Sequence, residues 1–272
     1  MKRLILPLFF ITIFIFSGCD DLTSLFDDID DTGTTTSCKI KKMVTSDGET
    51  TYDYSKEGLL TRMSNSETWD IAMFYNGNGQ ISKLEYYNKN TDTLDFYLEY
   101  TWINNNKAEE YLYQRTGNNQ WEKYSKTEYN LNDDGDIVKV LYYEQFNKNW
   151  VVTSYDQYTI ENKNVIKAES YVLNDGNFIK QETTTYKYDD KVNPLRNLSI
   201  RSIASISQYY WFTKNNLLKI VTTDESSNSV IYTADFEYEY NGDDFPVSYT
   251  RIDSTGGYTQ TYKVSSIEYD CK

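Results

Sequence analysis

Trp121-Glu-Lys-Tyr-Ser-Lys-Thr-Glu-Tyr129-Asn-Leu-Asn-Asp-Asp-Gly135-Asp-Ile137-Val-Lys-Val-Leu-Tyr-Tyr143 reads as strand, turn, strand. An aromatic opens the first arm, Tyr129 follows eight residues later, and a turn glycine comes six after that. The second arm is apolar and aromatic. The pattern returns in Trp150, Tyr158, Asn164 and Val165-Ile166, and again in Phe178 and Tyr186, with Val192 where a turn residue belongs.

Related units lie on both sides. Upstream are Tyr52-Asp-Tyr54-Ser-Lys-Glu-Gly58-Leu59, Phe74-Tyr75-Asn-Gly77-Asn-Gly79-Gln-Ile81 and Tyr100-Thr-Trp102-Ile-Asn-Asn-Asn106-Lys-Ala108. Downstream are Tyr186-Lys-Tyr188-Asp-Asp-Lys-Val192-Asn-Pro194-Leu195, Tyr210-Trp-Phe-Thr-Lys-Asn-Asn216-Leu and Tyr238-Glu-Tyr240-Asn-Gly-Asp-Asp244-Phe-Pro246. Turn positions recur every 21 to 29 residues, and a steady period of this size is the mark of a repeat architecture. Asn-Gly, Asp-Gly and Asn-Asn supply the positive φ of tight hairpins. Secondary turns at Asn90, Gly117, Asn147, Asn174, Ser226 and Gly256 divide each period into two strands. Leu94, Phe96, Leu98, Tyr100 and Trp102 share one face, opposite Asp95, Glu99 and Thr101. No segment carries a helical period, and 197–207 reads as an interruption. The expectation is an all-β antiparallel meander of repeated hairpins, sixteen or so strands, in a strongly curled or barrel-like sheet.

The composition agrees. Of 272 residues, 27 are Tyr and only 3 are Pro, which suits pleated, half-buried surfaces. The low mean hydropathy points to thin, solvated sheets rather than a thick aliphatic core. The formal charge of −14 excludes a nucleic-acid partner, because phosphate binding needs a basic field. Acidity of this size serves solubility.

The N-terminus is the most specific signal. Met1-Lys2-Arg3 is a basic opening, and Leu4 to Phe16 is an unbroken apolar run. That run falls short of the roughly 20 residues of a membrane helix and suits a signal peptide. Ser17-Gly18-Cys19 follows and resembles the bacterial lipoprotein box. The resemblance implies removal of residues 1–18 and lipid on Cys19, with several acyl chains and hence a stable membrane anchor. Residues 19–37, rich in Asp and Thr, read as a flexible acidic tether. Asp20-Asp21 directly after Cys19 resembles the surface-export signal of Bacteroidota lipoproteins. The implied place is the outer membrane, at the cell surface or facing the periplasm. The folded domain is then 38–272.

The repeat Tyr-x-Tyr-(Asp/Asn)-x-x-Gly-x-(Leu/Ile) resembles the tyrosine–aspartate repeat of the RHS family. The Trp eight residues before the Tyr resembles secreted repeat proteins and lipoproteins of Bacteroidota, as does Asp189-Asp-Lys-Val-Asn193-Pro194-Leu195. The likeness covers roughly 50–270 and implies a hairpin array with no chemistry assigned to the repeat.

With lipid on Cys19, Cys38 and Cys271 remain, bracketing the folded region. A disulfide is permitted outside the cytoplasm but needs Cα atoms about 4.4–6.8 Å apart. The ends of a flat sixteen-strand sheet would lie roughly 75 Å apart at about 4.8 Å per strand. The sheet curls until its ends meet, or Cys38 runs back to the last strand, or the thiols stay free.

The chain has no histidine, which removes the usual general base, the Ser–His–Asp triad and His-based zinc sites. A carboxylate pair remains as a hydrolytic option, but no Asp or Glu stands in a recognisable catalytic context. Asn132-Asp-Asp-Gly-Asp136 lacks the later glutamate of a calcium loop and reads as a turn. No cofactor or metal is implied. Trp121 and Trp150, at equivalent repeat positions, are a possible ligand face for a glycan, although cross-strand packing is the commoner role of such residues. The resulting expectation is a non-enzymatic binding or scaffold lipoprotein with a glycan or protein partner. A glycan-binding face, a carboxylate hydrolase and an integral outer-membrane barrel are the alternatives. The charged strand residues argue against the last.

Overall fold

The computed structural model describes residues 38–117, 120–195 and 213–271. The predicted signal peptide, Cys19, the tether and the 197–207 interruption lie outside them. The described residues form sixteen strands. The first eight are β1 Cys38–Thr45, β2 Gly48–Tyr54, β3 Leu60–Asn65, β4 Trp69–Tyr75, β5 Ile81–Asn88, β6 Thr93–Asn104, β7 Lys107–Arg115 and β8 Trp121–Leu131. The others are β9 Ile137–Phe146, β10 Asn149–Glu161, β11 Asn164–Asn174, β12 Asn177–Val192, β13 Asn215–Asp224, β14 Ser229–Tyr240, β15 Pro246–Thr255 and β16 Tyr258–Cys271. Each pairs antiparallel with its sequence neighbours, and β1 pairs with β16, so the meander is a closed barrel. Of the three possibilities for the terminal cysteines, the first holds. Cys38 and Cys271 face each other in register and are disulfide-bonded, with Cα atoms 4.0 Å apart.

The repeat motif has a local cause. At one end of the barrel, four hairpins share a turn in which the N–H of the first residue bonds the carbonyl four residues on. The pairs are Ser55 to Leu59, Asn76 to Gln80, Asn132 to Asp136 and Asn241 to Phe245. In the three Asn turns the side-chain Oδ1 accepts the returning N–H of Gln80, Asp136 or Phe245. This is the local bonding that makes Asn a turn former. Gly79 and Gly135 supply the positive φ, and 132–136 is a hairpin turn, as expected.

Near this end of the barrel, inward aromatics on five even-numbered strands each bond, through the polar tip, a carbonyl near the start of the preceding strand. Tyr54 donates to Ile40 O (2.8 Å), Tyr75 to Leu60 O (2.7 Å), Trp102 Nε1 to Ile81 O (3.0 Å), Tyr188 to Val165 O (2.7 Å) and Tyr269 to Pro246 O (2.6 Å). Each ring buries its body and still satisfies its donor.

The inner face at this end is a contiguous core of Ile40, Met43, Leu60, Met63, Ile71, Ile81, Leu84, Ile137, Val140, Ile220 and Ile267 among the tyrosines. It is more aliphatic than the thin, solvated sheets expected from composition, because curling turns every inward apolar residue onto the same interior. Leu195, after the Pro194 turn, is tucked into that core. The outer face carries charge. Lys42 pairs with Glu49 and Glu268, Lys126 with Glu109, Lys107 with Glu128, Lys180 with Glu169, and Lys219 with Asp235.

Closure predicts a measurable role for the bond at the seam. Intact protein should weigh about two hydrogen masses less than reduced protein, and Cys38→Ser/Cys271→Ser should lose stability by roughly 2–5 kcal/mol in chemical denaturation.

A candidate binding face inside the barrel mouth

The two ends of the barrel differ. The hairpin turns after β2, β4, β6 and β8, together with both cysteines, lie at the closed, core-filled end. The opposite end is a mouth with an uneven rim. Strands β2 to β4 have 7, 6 and 7 residues, whereas β10 to β12 have 13, 11 and 16. Six extra residues add roughly 20 Å of strand at about 3.3 Å each. The inner wall of the tall side therefore stands open to solvent. Registry carried up from the core puts Phe146, Val151, Val172, Ile179, Tyr258 and Tyr262 on that inner wall. All six are exposed, Tyr258 at 81%.

Below this apolar collar runs a polar band, continuous from strand to strand. Glu110 opposes Tyr100 and Thr127, and Thr127 opposes Tyr142. The Tyr142 hydroxyl donates to Asp156 Oδ2 (2.8 Å), and Ser170 Oγ donates to Asp156 Oδ1 (2.6 Å). Ser170 opposes Glu182, which opposes Asp224. Thr184 and Thr222 share a hydrogen bond of 2.9 Å. Arg251 completes the band, donating from Nε to Asp253 (2.6 Å) and from Nη2 to the Tyr232 hydroxyl (2.7 Å).

Protonation follows position. Burial pushes the Glu110 carboxyl up to about 7, against the pull of its tyrosine neighbours. Tyr129 donates to it at 3.0 Å, and the buried Tyr100 hydroxyl lies near it without a hydrogen bond of ordinary geometry. Glu182 is raised by desolvation, then by Asp224 and Asp156, so these three carboxylates converge on one patch of wall. Asp224 is held down at about 2 by hydrogen bonds from Ser226 and Ser227. Among the described residues no group of His, Cys, Asp and Glu is arranged to hold a metal ion.

The aromatic residues singled out from sequence are elsewhere. Trp121 and Trp150 are half-buried on the outer surface, edge-on to Tyr97 (5.0 Å) and Tyr111 (6.2 Å). Phe178 packs the same way on Tyr155 (5.0 Å) and is 41% exposed. Tyr97, under Trp121, and Tyr155, under Phe178, are 58 residues apart, two periods of 29. Lysines lie over the outer tyrosines, with Lys83 4.5 Å from Tyr97 and Lys139 3.7 Å from Tyr155. The rings thus hold neighbouring strands together. Trp121 and Trp150 are not part of the inner face, and Cys19 lies outside the described residues. Sequence reasoning missed the polar band. Its one available signal was the set of acids (Glu110, Asp156, Glu182) standing at inward positions of strands that otherwise alternate.

No protein-family model matches the chain, and no curated protein matches it. Solved structures do. A porin-like protein from Bacteroides vulgatus superposes with a TM-score of 0.51 at 9% identity, over 85% of this chain and 99% of that one. A porin-like protein from Bacteroides uniformis gives 0.35 at 14% identity, over 88% and 98%. A protein of unknown function from Bacteroides fragilis gives 0.23 at 14% identity, over 61% and 88%. At 9% identity the first likeness is one of fold: a barrel of this kind.

Two outcomes follow. Glu110 holds its proton more tightly when folded than when unfolded, so its contribution to stability is full below about 4.5 and falls as pH rises through about 7. Glu110→Gln should flatten that decline and leave the protein more stable than wild type at pH 8, by up to about 3 kcal/mol, read from urea melts at pH 5 and 8. Trp121→Ala should cost about 1–2 kcal/mol in the same melts through lost cross-strand packing.

Proposed function

We propose that this chain is a lipid-tethered outer-membrane lipoprotein whose barrel stands in water and takes a ligand at its open mouth, without catalysis. The carrying observation is polarity. A barrel that crosses a bilayer needs an apolar outer band about 25 Å tall, and each outward Lys or Arg near mid-membrane costs about 2–4 kcal/mol. Here Arg62, Lys83, Lys126, Lys139, Lys167, Lys187 and Lys219 face outward by registry on strands around the wall. Immersing several of them would exceed the whole stability of a typical domain, about 5–15 kcal/mol. Aliphatic residues meanwhile fill the inside of the closed end. A water-filled pore would have the opposite arrangement.

The proposed anchor suits this geometry. Eighteen residues separate Cys19 from Cys38, a reach of at most about 65 Å when extended. Cys38 is at the closed end, so the tether joins the barrel on the side opposite its mouth and leaves the mouth unobstructed. The same arrangement serves the cell surface or the periplasmic side. Glycan capture on the outer aromatics is the second reading, favoured by the exposure of Phe178 at a position equivalent to Trp121 and Trp150. Their edge-on packing makes it the weaker one.

Replacing residues 1–19 with an ordinary cleavable signal peptide, so that no lipid-bearing cysteine remains, should move the protein from the membrane fraction to the soluble fraction, without detergent and still folded. Persistence of that protein in washed membranes would overturn the tethered, water-standing reading.

A further inference from the structure

The mouth combines two features that are uncommon on one wall. The collar on the inner wall is open to solvent and mostly apolar: Phe146, Val151, Val172 and Ile179 rise on the tall side, with Tyr258 and Tyr262 on β16, and Glu144 stands among them opposite Val151. Isolated exposed apolar residues need no explanation, but a clustered set around a concavity marks an interaction site. Directly below it the wall is acidic. Asp156, Glu182 and Asp224 stand on successive or next-but-one inner positions of β10, β12 and β13. The cation in this band, Arg251, is taken up by Asp253 and stacks near the Phe236 and Tyr262 rings (5.7 and 5.6 Å).

Ligand polarity follows from this layering. An apolar body can lie against the collar, where it removes exposed carbon from water at about 25 cal/mol per Å². Its polar end then reaches the carboxylates. An anionic end would meet three acids in a chain that is already strongly acidic. A neutral end would leave their mutual repulsion in place. A cationic end relieves that repulsion, and does so in a partly desolvated setting where charge interactions are stronger than in bulk water.

We infer that the mouth binds a cationic amphiphile, apolar body on the Phe146–Ile179 collar and positive head against Asp156, Glu182 and Asp224. The inference rests on the mouth being the ligand face, as proposed above. The site takes a single chain end-on, because the apolar and acidic layers are stacked along the barrel axis.

Calorimetric titration of the mature chain carrying Cys19→Ser tests this, with dodecyltrimethylammonium, dodecyl maltoside and dodecyl sulfate, each below its micelle concentration. The cationic probe should bind at one site at least about tenfold more tightly than the other two. Glu182→Lys should weaken it by about tenfold or more, with Glu182→Gln a milder loss if the lysine variant does not fold. Phe146→Ser/Ile179→Ser should also weaken it. Glu237→Lys, the same charge change on the outer face, should leave it unaltered. Near-ultraviolet circular dichroism verifies each fold. Equal affinity for all three head groups, or equal losses in Glu182→Lys and Glu237→Lys, overturns the cationic assignment while leaving a ligand-binding mouth. Binding of none of the three probes overturns it together with the reading of the mouth.

Discussion

A sheet made by repetition has two edges, and everything else in this molecule depends on their meeting. Unpaired edge strands expose a row of backbone donors and acceptors that recruit other chains. Here β1 and β16 pair along their length and carry a covalent bond at the end of the register. Closure also gives the two faces of each strand different fates. Without it, a sixteen-strand meander of tyrosine, threonine and charge would have two solvated faces and no interior. With it, one set of alternating residues becomes a core and the other a water-facing wall.

That distinction explains the tyrosines. A wide barrel filled with aliphatic side chains alone would leave gaps, because Leu or Ile cannot span from the wall to the middle. Tyrosine reaches further, and its hydroxyl then needs a partner. Near the closed end the partner is a backbone carbonyl of the neighbouring strand, as for Tyr54, Tyr75, Tyr188 and Tyr269. Higher up, where the wall carries acids, the partner is a carboxylate, as for Tyr129 with Glu110 and Tyr142 with Asp156. The polar band is therefore the continuation of the packing scheme of the core. The same inner column changes from carbon to oxygen as it approaches water.

Much of this was legible in the sequence. The Asn and Gly turns and the two terminal cysteines are local signals that appear where the residues suggested; the alternation holds from Phe96 to Trp102, but a bulge at Asp95 turns Leu94, expected on that face, outward opposite Tyr87. Which face points inward was harder to read, for a physical reason. Most strand pairs contain a bulge, among them those between Phe74 and Tyr75, Tyr86 and Tyr87, Leu112 and Tyr113, and Val152 and Ser154. Each bulge inserts one residue and flips the alternation beyond it. Counting from a well-read core position such as Leu98 thus assigns the nearby residues correctly and loses phase before the mouth. Tyrosine also occurs on both faces: Tyr142 is inside against Asp156, while its neighbour Tyr143 lies outside under Lys126. Trp121 and Trp150 both lie on the outer face, and their shared place in the sequence pattern says nothing about which side of a closed wall such a position occupies.

The bulges also bear on how the two ends came to differ. An added residue on one strand raises local twist and tilts the strand, and a barrel accommodates this most easily where no core fixes side-chain positions. At the closed end, short turns with Asn side-chain bonds and buried isoleucines leave little freedom. Toward the mouth the strands lengthen unequally, the inner wall is exposed, and the residues there are no longer constrained to fill a shared interior. Packing does not explain the exposed apolar side chains of Phe146, Val172 and Ile179, which lie outside the core. The layered mouth is where another cause can act, because among the described residues it is an inner surface that water and solutes reach without disturbing the closed end that holds the barrel together.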